Sequence, residues 1–197
     1  MFGAYLRPIL FLFALLLTDR AHAHNDDHTA YAIPITGITI DGRLDDWPER
    51  MAVYPITWVS PYYKPDPPEG PVDLTASFRV GYDPSMHILY VAVVTRDDDW
   101  VIDPEDGSFN NQDLSEIYID ADHSGGINFL SAQDAQQYVL VAGPSRFSSD
   151  SDSNPALNRG DTGKSGLNAA YLRLDDHTVY EWAIPLWSSF PDQRYSI

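Results

Sequence analysis

The chain has 197 residues, enough for one domain that buries a substantial core. It carries 12 Lys and Arg against 29 Asp and Glu, for a net charge of -17. This charge argues against nucleic acids and anionic membranes as partners, because both are bound through clustered basic side chains. The absence of cysteine excludes disulfides, thiolate metal sites and a cysteine nucleophile.

Residues 1–23 have the pattern of a secretory signal peptide. Arg7 supplies the positive charge, an apolar run follows from Ile9 to Leu17, and Ala21-His22-Ala23 is an A-x-A cleavage site. The apolar run is too short to cross a bilayer, which requires about 20 residues. We therefore expect a secreted or periplasmic protein, cleaved after Ala23, whose mature chain has no membrane span. An uncleaved N-terminal anchor is the alternative.

A polar leader occupies residues 24–33, and residues 34–197 are expected to form one domain of β-strands. Strands are predicted by alternating or short apolar runs between turn residues. These runs are residues 38–40, 75–82, 88–95, 115–120, 138–142, 169–174 and 179–184. No segment shows a sustained helical period, so the sequence predicts an all-β fold, a jelly-roll-like β-sandwich of two antiparallel sheets.

Two segments are predicted to be long loops. Residues 60–72 contain five prolines, and residues 143–166 are rich in Ser, Asp, Asn and Gly. The chain ends at Ile197 soon after the last predicted strand, without a linker or a charged tail. We expect the domain to be truncated at this end; if the natural chain continues, a catalytic or signalling part would lie there.

An acidic run lies in the middle of the chain, with ten Asp or Glu and no Lys or Arg between Asp97 and Asp122. Hard oxygen ligands on loops are what Ca²⁺ prefers, and two aspartates followed by glycines at residues 120–126 match part of a calcium loop. We therefore predict calcium as a structural cofactor, with Asp97, Asp120 and Asp122 as ligands. A solvated acidic face is the alternative.

The chain is rich in aromatic residues, with 5 Trp, 12 Tyr and 8 Phe. Sugar sites combine rings, on which the C–H face of the sugar stacks, with a few polar groups that hold its hydroxyls. Trp100 and Phe109 flank acidic residues and are candidate ligand contacts, whereas Trp47 and Trp182 are expected in the core.

A pair of carboxylates can also hydrolyse a glycosidic bond, and Asp113 with Glu116 is such a pair by spacing. Acidic residues are so frequent in this region that no pair stands out. We therefore disfavour glycosidase catalysis and expect no enzymatic activity in this chain.

Four segments resemble, in order, the family 9 carbohydrate-binding modules. They are residues 38–47, residues 78–98, the D-x-x-E-I-x-I-D strand at residues 113–120, and residues 180–185. The resemblance implies a non-catalytic β-sandwich with structural calcium that binds polysaccharide or oligosaccharide chains. Such modules are accessory to secreted glycan-degrading proteins, which leaves open a parent glycoside hydrolase beyond Ile197.

The resemblance also implies the location of the sugar site. Glu116 matches the glutamate that binds hydroxyls, and the polar residue of the next strand falls near Tyr138, with Gln136 and Gln137 beside it. The position of the family's first stacking ring is occupied by Asn110, beside Phe109. The second stacking ring of the family comes from a C-terminal strand that this chain lacks. The predicted ligand-binding residues are Glu116, Phe109, Asn110, Trp100, Asp113, Gln136 and Tyr138.

Two other functions remain open at this point. One is a haem-binding electron-transfer sandwich, which holds haem through Met with His or Lys. Its available ligands are Met51, Met86, His87, His123 and His177. The other is a structural or sensor ectodomain that binds no sugar. This alternative is favoured by Asn110, which stands where the family has its first stacking ring.

Overall fold

The computed structural model describes residues 29–57, 70–71, 73–103, 111–120, 135–143, 156–157, 167–189 and 193–194. Over these ranges the chain forms eleven strands and no α-helix. The strands are β1 (Ile33–Pro34), β2 (Tyr54–Ile56), β3 (Leu74–Asp83), β4 (Ile88–Asp97), β5 (Leu114–Asp120), β6 (Ala135–Val141), β7 (Ala156–Leu157), β8 (Asn168–Arg173), β9 (Thr178–Pro185), β10 (Trp187–Ser189) and β11 (Gln193–Arg194). The predicted signal peptide and most of both predicted loops lie outside the described residues. Within them, no helix has the length and apolarity needed to cross a membrane.

A six-stranded sheet forms the centre of the fold, in the order β1-β3-β4-β9-β8, with β2 also paired to β3. Strands β5, β6 and β7 form a second sheet, and β10 and β11 form a short third one. All described neighbours pair antiparallel except β1, which runs parallel to β3. The chain leaves the first sheet after β4, forms the second sheet, and returns to the first at β8. The predicted all-β sandwich is confirmed.

Two hairpins, β3–β4 and β8–β9, define the central sheet, and each joins two of the strands predicted from apolar runs. In the β3–β4 turn, Oδ1 of Asp83 accepts hydrogen bonds from the amides of Ser85 (2.8 Å) and Met86 (3.1 Å) and from the Ser85 hydroxyl (2.6 Å). In the β8–β9 turn, the amide of Leu174 donates to the His177 carbonyl over 2.8 Å. Each turn therefore closes its hairpin with local hydrogen bonds.

The main core lies between the two sheets. Its buried members come from both sheets: Val91, Val93, Tyr138, Leu140, Ala142, Ala169, Tyr180, Trp182 and Ile184. Trp182 is completely buried, and its indole N–H donates to Oγ of Ser115 on β5 over 3.3 Å. The core position predicted for Trp182 is confirmed, and its indole links the central sheet to the second sheet.

A second core covers the opposite face of β4 and β9. Residues 35–51 lie across this face, and their buried side chains pack against Tyr90, Ala92 and Ala183. The core position predicted for Trp47 is confirmed, but the predicted strand at residues 38–40 is wrong, because this segment forms no strand. The amide of Thr39 instead donates to Oδ2 of Asp46 within the same segment, over 2.6 Å.

Strand β7 also departs from the sequence-based expectation. It lies inside the segment 143–166, predicted to be a loop, and pairs with Tyr138 and Val139 of β6. Its two residues are too few to show an alternating pattern, so local sequence gives no signal for this strand.

One buried carboxylate holds the second core in place. Oε2 of Glu181 accepts hydrogen bonds from the amides of Asp41 (2.9 Å), Gly42 (2.6 Å) and Arg43 (3.1 Å), while Oε1 accepts the indole N–H of Trp47 (2.6 Å). The side chain has no exposed surface. Burial raises the pKa of the Glu181 carboxyl, and the four donated hydrogen bonds act in the opposite direction.

Candidate functional site

The outer face of the second sheet carries the most distinctive polar group in the described residues. Strand alternation turns Ile117 towards the core and Glu116 and Tyr118 away from it. In the antiparallel register, Glu116 is opposite Val139 and Tyr118 is opposite Gln137. Gln137 therefore lies beside both outward-facing residues of β5.

These three side chains form a closed polar triangle of Glu116, Tyr118 and Gln137. Nε2 of Gln137 donates to Oε2 of Glu116 over 3.0 Å and to the Tyr118 hydroxyl over 2.6 Å. The Tyr118 hydroxyl in turn donates to the same Oε2. Gln137 is buried, Glu116 is half-buried, and Tyr118 is 53% exposed. The triangle therefore holds a carboxylate beside an accessible aromatic ring.

The triangle is suited to binding a hydroxylated ligand. Both neighbouring donors bind Oε2 of Glu116, and within the described part of the chain Oε1 accepts no hydrogen bond. A carboxylate oxygen in this position can accept a hydrogen bond from a ligand hydroxyl, and charge-assisted bonds are about twice as strong as neutral ones. The exposed ring of Tyr118 offers an apolar surface next to that oxygen.

A two-carboxylate catalytic arrangement does not follow from this geometry. Asp113 immediately precedes β5, three residues from Glu116, so strand alternation directs the two side chains to opposite faces. Burial, followed by the negative charge of Asp97, raises the pKa of Asp113. Asp113 therefore belongs to the acidic group at the end of β4, away from the triangle.

That acidic group contains one of the three predicted calcium ligands. The Asp97 carbonyl accepts a hydrogen bond from Nη2 of Arg173 over 3.2 Å, and its Oδ1 accepts the Asp99 amide over 3.0 Å. In the portion of the chain that the structure describes, no three metal-ligating side chains converge. The Asp120 side chain and all of Asp122 lie outside that portion, so calcium binding stays a prediction.

Trp100 lies at the end of the second sheet. Its ring is 52% exposed, and its indole N–H donates to the Ala142 carbonyl over 3.2 Å. The register pairs Leu114 with Val141 at this end of the sheet, and Glu116 is two residues further along β5. At the usual rise of a strand, this is about 7 Å. Trp100 therefore lies at the end of the second sheet where β5 begins, and Glu116 is two residues from that end.

Tyr138 is placed differently from its predicted role. Its side chain is completely buried between the sheets, on the face of β6 opposite to Gln137, and burial raises its pKa. Tyr138 therefore contributes to the core, and Gln137 is the β6 residue that contacts Glu116. The side chains of Phe109, Asn110 and Gln136 lie outside the described residues.

The candidate haem ligands are distributed over the fold. Met51 is buried in the second core, and Met86 is exposed in the β3–β4 turn beside His87. His177 lies in the β8–β9 turn. The β4–β9 register extends from Ile88 to Thr95, about 23 Å, and His87 and His177 lie beyond its opposite ends. These two histidines cannot ligate one iron, and His123 lies outside the described residues.

A comparison with solved structures identifies the architecture. A family 9 carbohydrate-binding module from Caldicellulosiruptor kristjanssonii, solved in complex with glucose, superposes on this chain with a TM-score of 0.55. The match covers 83% of this chain and 70% of that chain, at 17% sequence identity. This chain has the fold of a family 9 carbohydrate-binding module. No protein-family model and no curated protein sequence matches it. The resemblance seen in the sequence is thus confirmed at the level of the family 9 fold.

Proposed function

We propose that this chain is a non-catalytic carbohydrate-binding module whose sugar site is the outer face of β5 and β6. The observation that carries the proposal is the polar triangle of Glu116, Tyr118 and Gln137, with the Tyr118 ring 53% exposed. The ring stacks on the apolar face of a sugar, while Glu116 accepts its hydroxyls. The glucose bound to the solved family 9 module supports a sugar as the ligand class.

The triangle also favours affinity through preorganisation. Gln137 is buried and donates to both of its neighbours, so the carboxylate and the ring are already oriented before a ligand arrives. Binding to an ordered site avoids part of the cost of immobilising side chains. Trp100, exposed at the end of the same sheet, is a second stacking surface for a longer chain.

The wider role follows from the sequence. The signal peptide pattern at residues 1–23 supports a secreted or periplasmic location, and the resemblance to family 9 modules supports an accessory role in degrading polysaccharides. The acidic run between Asp97 and Asp122 supports structural calcium, with Asp97, Asp120 and Asp122 as ligands. A change in melting temperature on adding CaCl₂ to chelator-treated protein tests the calcium proposal, and an unchanged melting temperature contradicts it.

Calorimetric titration with glucose, cello-oligosaccharides and xylo-oligosaccharides tests the sugar site. We expect Glu116→Ala to weaken binding about 10- to 100-fold, because a hydrogen bond to a charged group contributes about 1.5–3 kcal/mol. Tyr118→Ala is expected to lose about tenfold, and Tyr118→Phe less, since it keeps the ring. Glu49→Ala removes an exposed acid from the segment covering the opposite face and serves as the control.

Two outcomes contradict the proposal. If folded wild-type protein binds none of these sugars, the function is wrong. If wild-type protein binds but Glu116→Ala and Tyr118→Ala behave like Glu49→Ala, the module binds sugar at another site.

A further inference from the structure

A cavity of about 480 Å³ lies beside the triangle, between the inner face of the central sheet and strand β5. Five consecutive residues of β5, Leu114 to Tyr118, line it, together with inward-facing residues of β3 and β4. Consecutive residues of a strand point to opposite faces, so a cavity that all of them border runs along the edge of the strand. The volume falls in the range of small-molecule sites, about 300–1,000 Å³.

Apart from Thr95, Ser115, Glu116 and Tyr118, the described residues that line this cavity are apolar. Phe78, Val80 and Val93 supply hydrocarbon from the central sheet, and Ile117 does so from β5. Among the described lining residues, Glu116 is the one that carries a charge. A molecule that fills this space therefore needs an apolar body and a polar group at one end.

The surface around the cavity is also apolar. Ile56 and Leu74, which line it at the β2–β3 side, are both exposed, as is the ring of Tyr118. Exposed apolar groups around an apolar cavity let a hydrophobic group enter from solvent and remove their own surface from water as it binds. Glu116 and Tyr118 belong both to the cavity lining and to the triangle, so one ligand can occupy both.

We propose that the preferred ligand is a glycoside with an apolar aglycone, with its sugar on the triangle and its alkyl or aryl group in the cavity. This inference rests on the proposed sugar-binding function and specifies the ligand class of that same site. It adds a hydrophobic subsite, lined by residues of β3, β4 and β5, to the polar contacts of Glu116 and Gln137.

Titration with methyl, butyl and hexyl glucosides below their micelle concentrations tests the hydrophobic subsite. Each methylene that enters the cavity is expected to lower Kd up to about fourfold. We expect hexyl glucoside to bind at least about thirtyfold more tightly than methyl glucoside, given partial burial of the chain. Hexan-1-ol, which lacks the sugar, is expected to bind far more weakly than hexyl glucoside.

Ala76→Leu provides the matched variant. Ala76 lines the cavity from β3 and is half-buried, so a larger side chain there fills empty space. We expect hexyl glucoside to lose its advantage in this variant while methyl glucoside binds as before, with Ala76→Val intermediate. Ser77→Leu adds the same bulk to the other face of β3 and is expected to leave both affinities unchanged, with melting temperatures confirming that all variants fold.

The possible results separate this inference from the sugar-binding function. If Kd is the same for all three glucosides but rises in Glu116→Ala, the subsite is wrong and the sugar site stands. If neither glucosides nor oligosaccharides bind, the sugar-binding function fails, and the inference fails with it. If hexan-1-ol binds as tightly as hexyl glucoside, or if the chain-length gain persists in Ala76→Leu, the assignment of this cavity to an aglycone is overturned.

Discussion

The two faces of the β4–β9 strand pair are covered by different kinds of structure. On one face a second sheet packs its apolar side chains against the central sheet. On the other, residues 35–51 cross the sheet as irregular chain, and the Glu181 carboxylate accepts three of their amides and one indole N–H. A strand satisfies its backbone through its neighbours, whereas an irregular segment over a core needs side-chain acceptors.

Because of this difference, one face of the strand pair contributes mainly to stability and the other offers the candidate binding site. The face held by Glu181 is dense, and the backbone of Gly42 lies directly against β8. The face covered by the second sheet leaves a cavity and an exposed ring at the edge of β5. Substitutions on the first face should therefore act on unfolding, and substitutions around Glu116 should act on ligands.

The largest effect on stability is expected for Glu181→Ala. Its four donors lose their acceptor together, and each unsatisfied buried donor costs about 1–3 kcal/mol, so we expect a loss of about 4 kcal/mol once partial rehydration is allowed for. Urea denaturation measures the change in the free energy of unfolding. Glu181→Gln keeps one oxygen acceptor and should lose about half as much.

Glu116→Ala is the control for that experiment, because the Glu116 side chain is half-buried on the other sheet. We expect it to change the free energy of unfolding by less than about 1 kcal/mol. If Glu181→Ala is no less stable than Glu116→Ala, the carboxylate does not hold the N-terminal segment.

A pair of glycine substitutions isolates the close approach on the Glu181 face. Gly42 and Gly37 both have positive φ, 81° and 78°. A Cβ at Gly42 would lie 2.7 Å from backbone atoms of Tyr171 and Leu172, whereas nothing lies within 4 Å of one at Gly37. We expect thermal denaturation to show that the free energy of unfolding falls by about 3 kcal/mol in Gly42→Ala and by about 1 kcal/mol in Gly37→Ala. Equal losses would show that strand β8 moves to accommodate the methyl group.

The smallest effect concerns the pH dependence of stability. The hydrogen bonds from Ser85, its hydroxyl first, lower the pKa of Asp83 below its ordinary 3.8. A lowered pKa contributes stability above the unfolded value that is lost as pH falls through the folded value. The melting temperature of Asp83→Asn should therefore approach that of wild type as the pH falls from about 6 to about 3. A constant difference in melting temperature would contradict this assignment.

Burial raises the pKa of Glu181, the opposite direction to Asp83. The contribution of Glu181 to stability therefore declines as the pH rises.

The sequence predicted the hairpins of the central sheet well, because their signals are local. The run at residues 75–82 became β3, and the aspartate at its end closes the turn as its side-chain chemistry favours. The segment 38–40 alternates equally well, yet its backbone is irregular. The Thr39 amide donates to the Asp46 side chain, and the next residues, 41–43, donate to Glu181, which is about 140 residues away along the chain.

The candidate site was predictable only in part for a similar reason. Alternation along β5 is sufficient to place Tyr118 on the same face as Glu116, so this ring could have been found from the sequence. The choice among Gln136, Gln137 and Tyr138 depends on the register between β5 and β6. A slip of one residue exchanges the two faces of a strand, and the register turns Gln137 towards Glu116 and Tyr138 into the core.

The hydrogen bonds of Glu181 also constrain the order in which the molecule folds. They join β9 to residues that precede it by 134 to 140 positions. During synthesis the early segment emerges long before its acceptor, and contacts so distant in sequence form slowly because a large loop must close first. The apolar side chains of residues 35–51 pack on both β4 and β9, so the second core is complete only after β9 has emerged and paired with β4. Until then part of their apolar surface stays uncovered, and exposed apolar surface favours aggregation of a nascent chain.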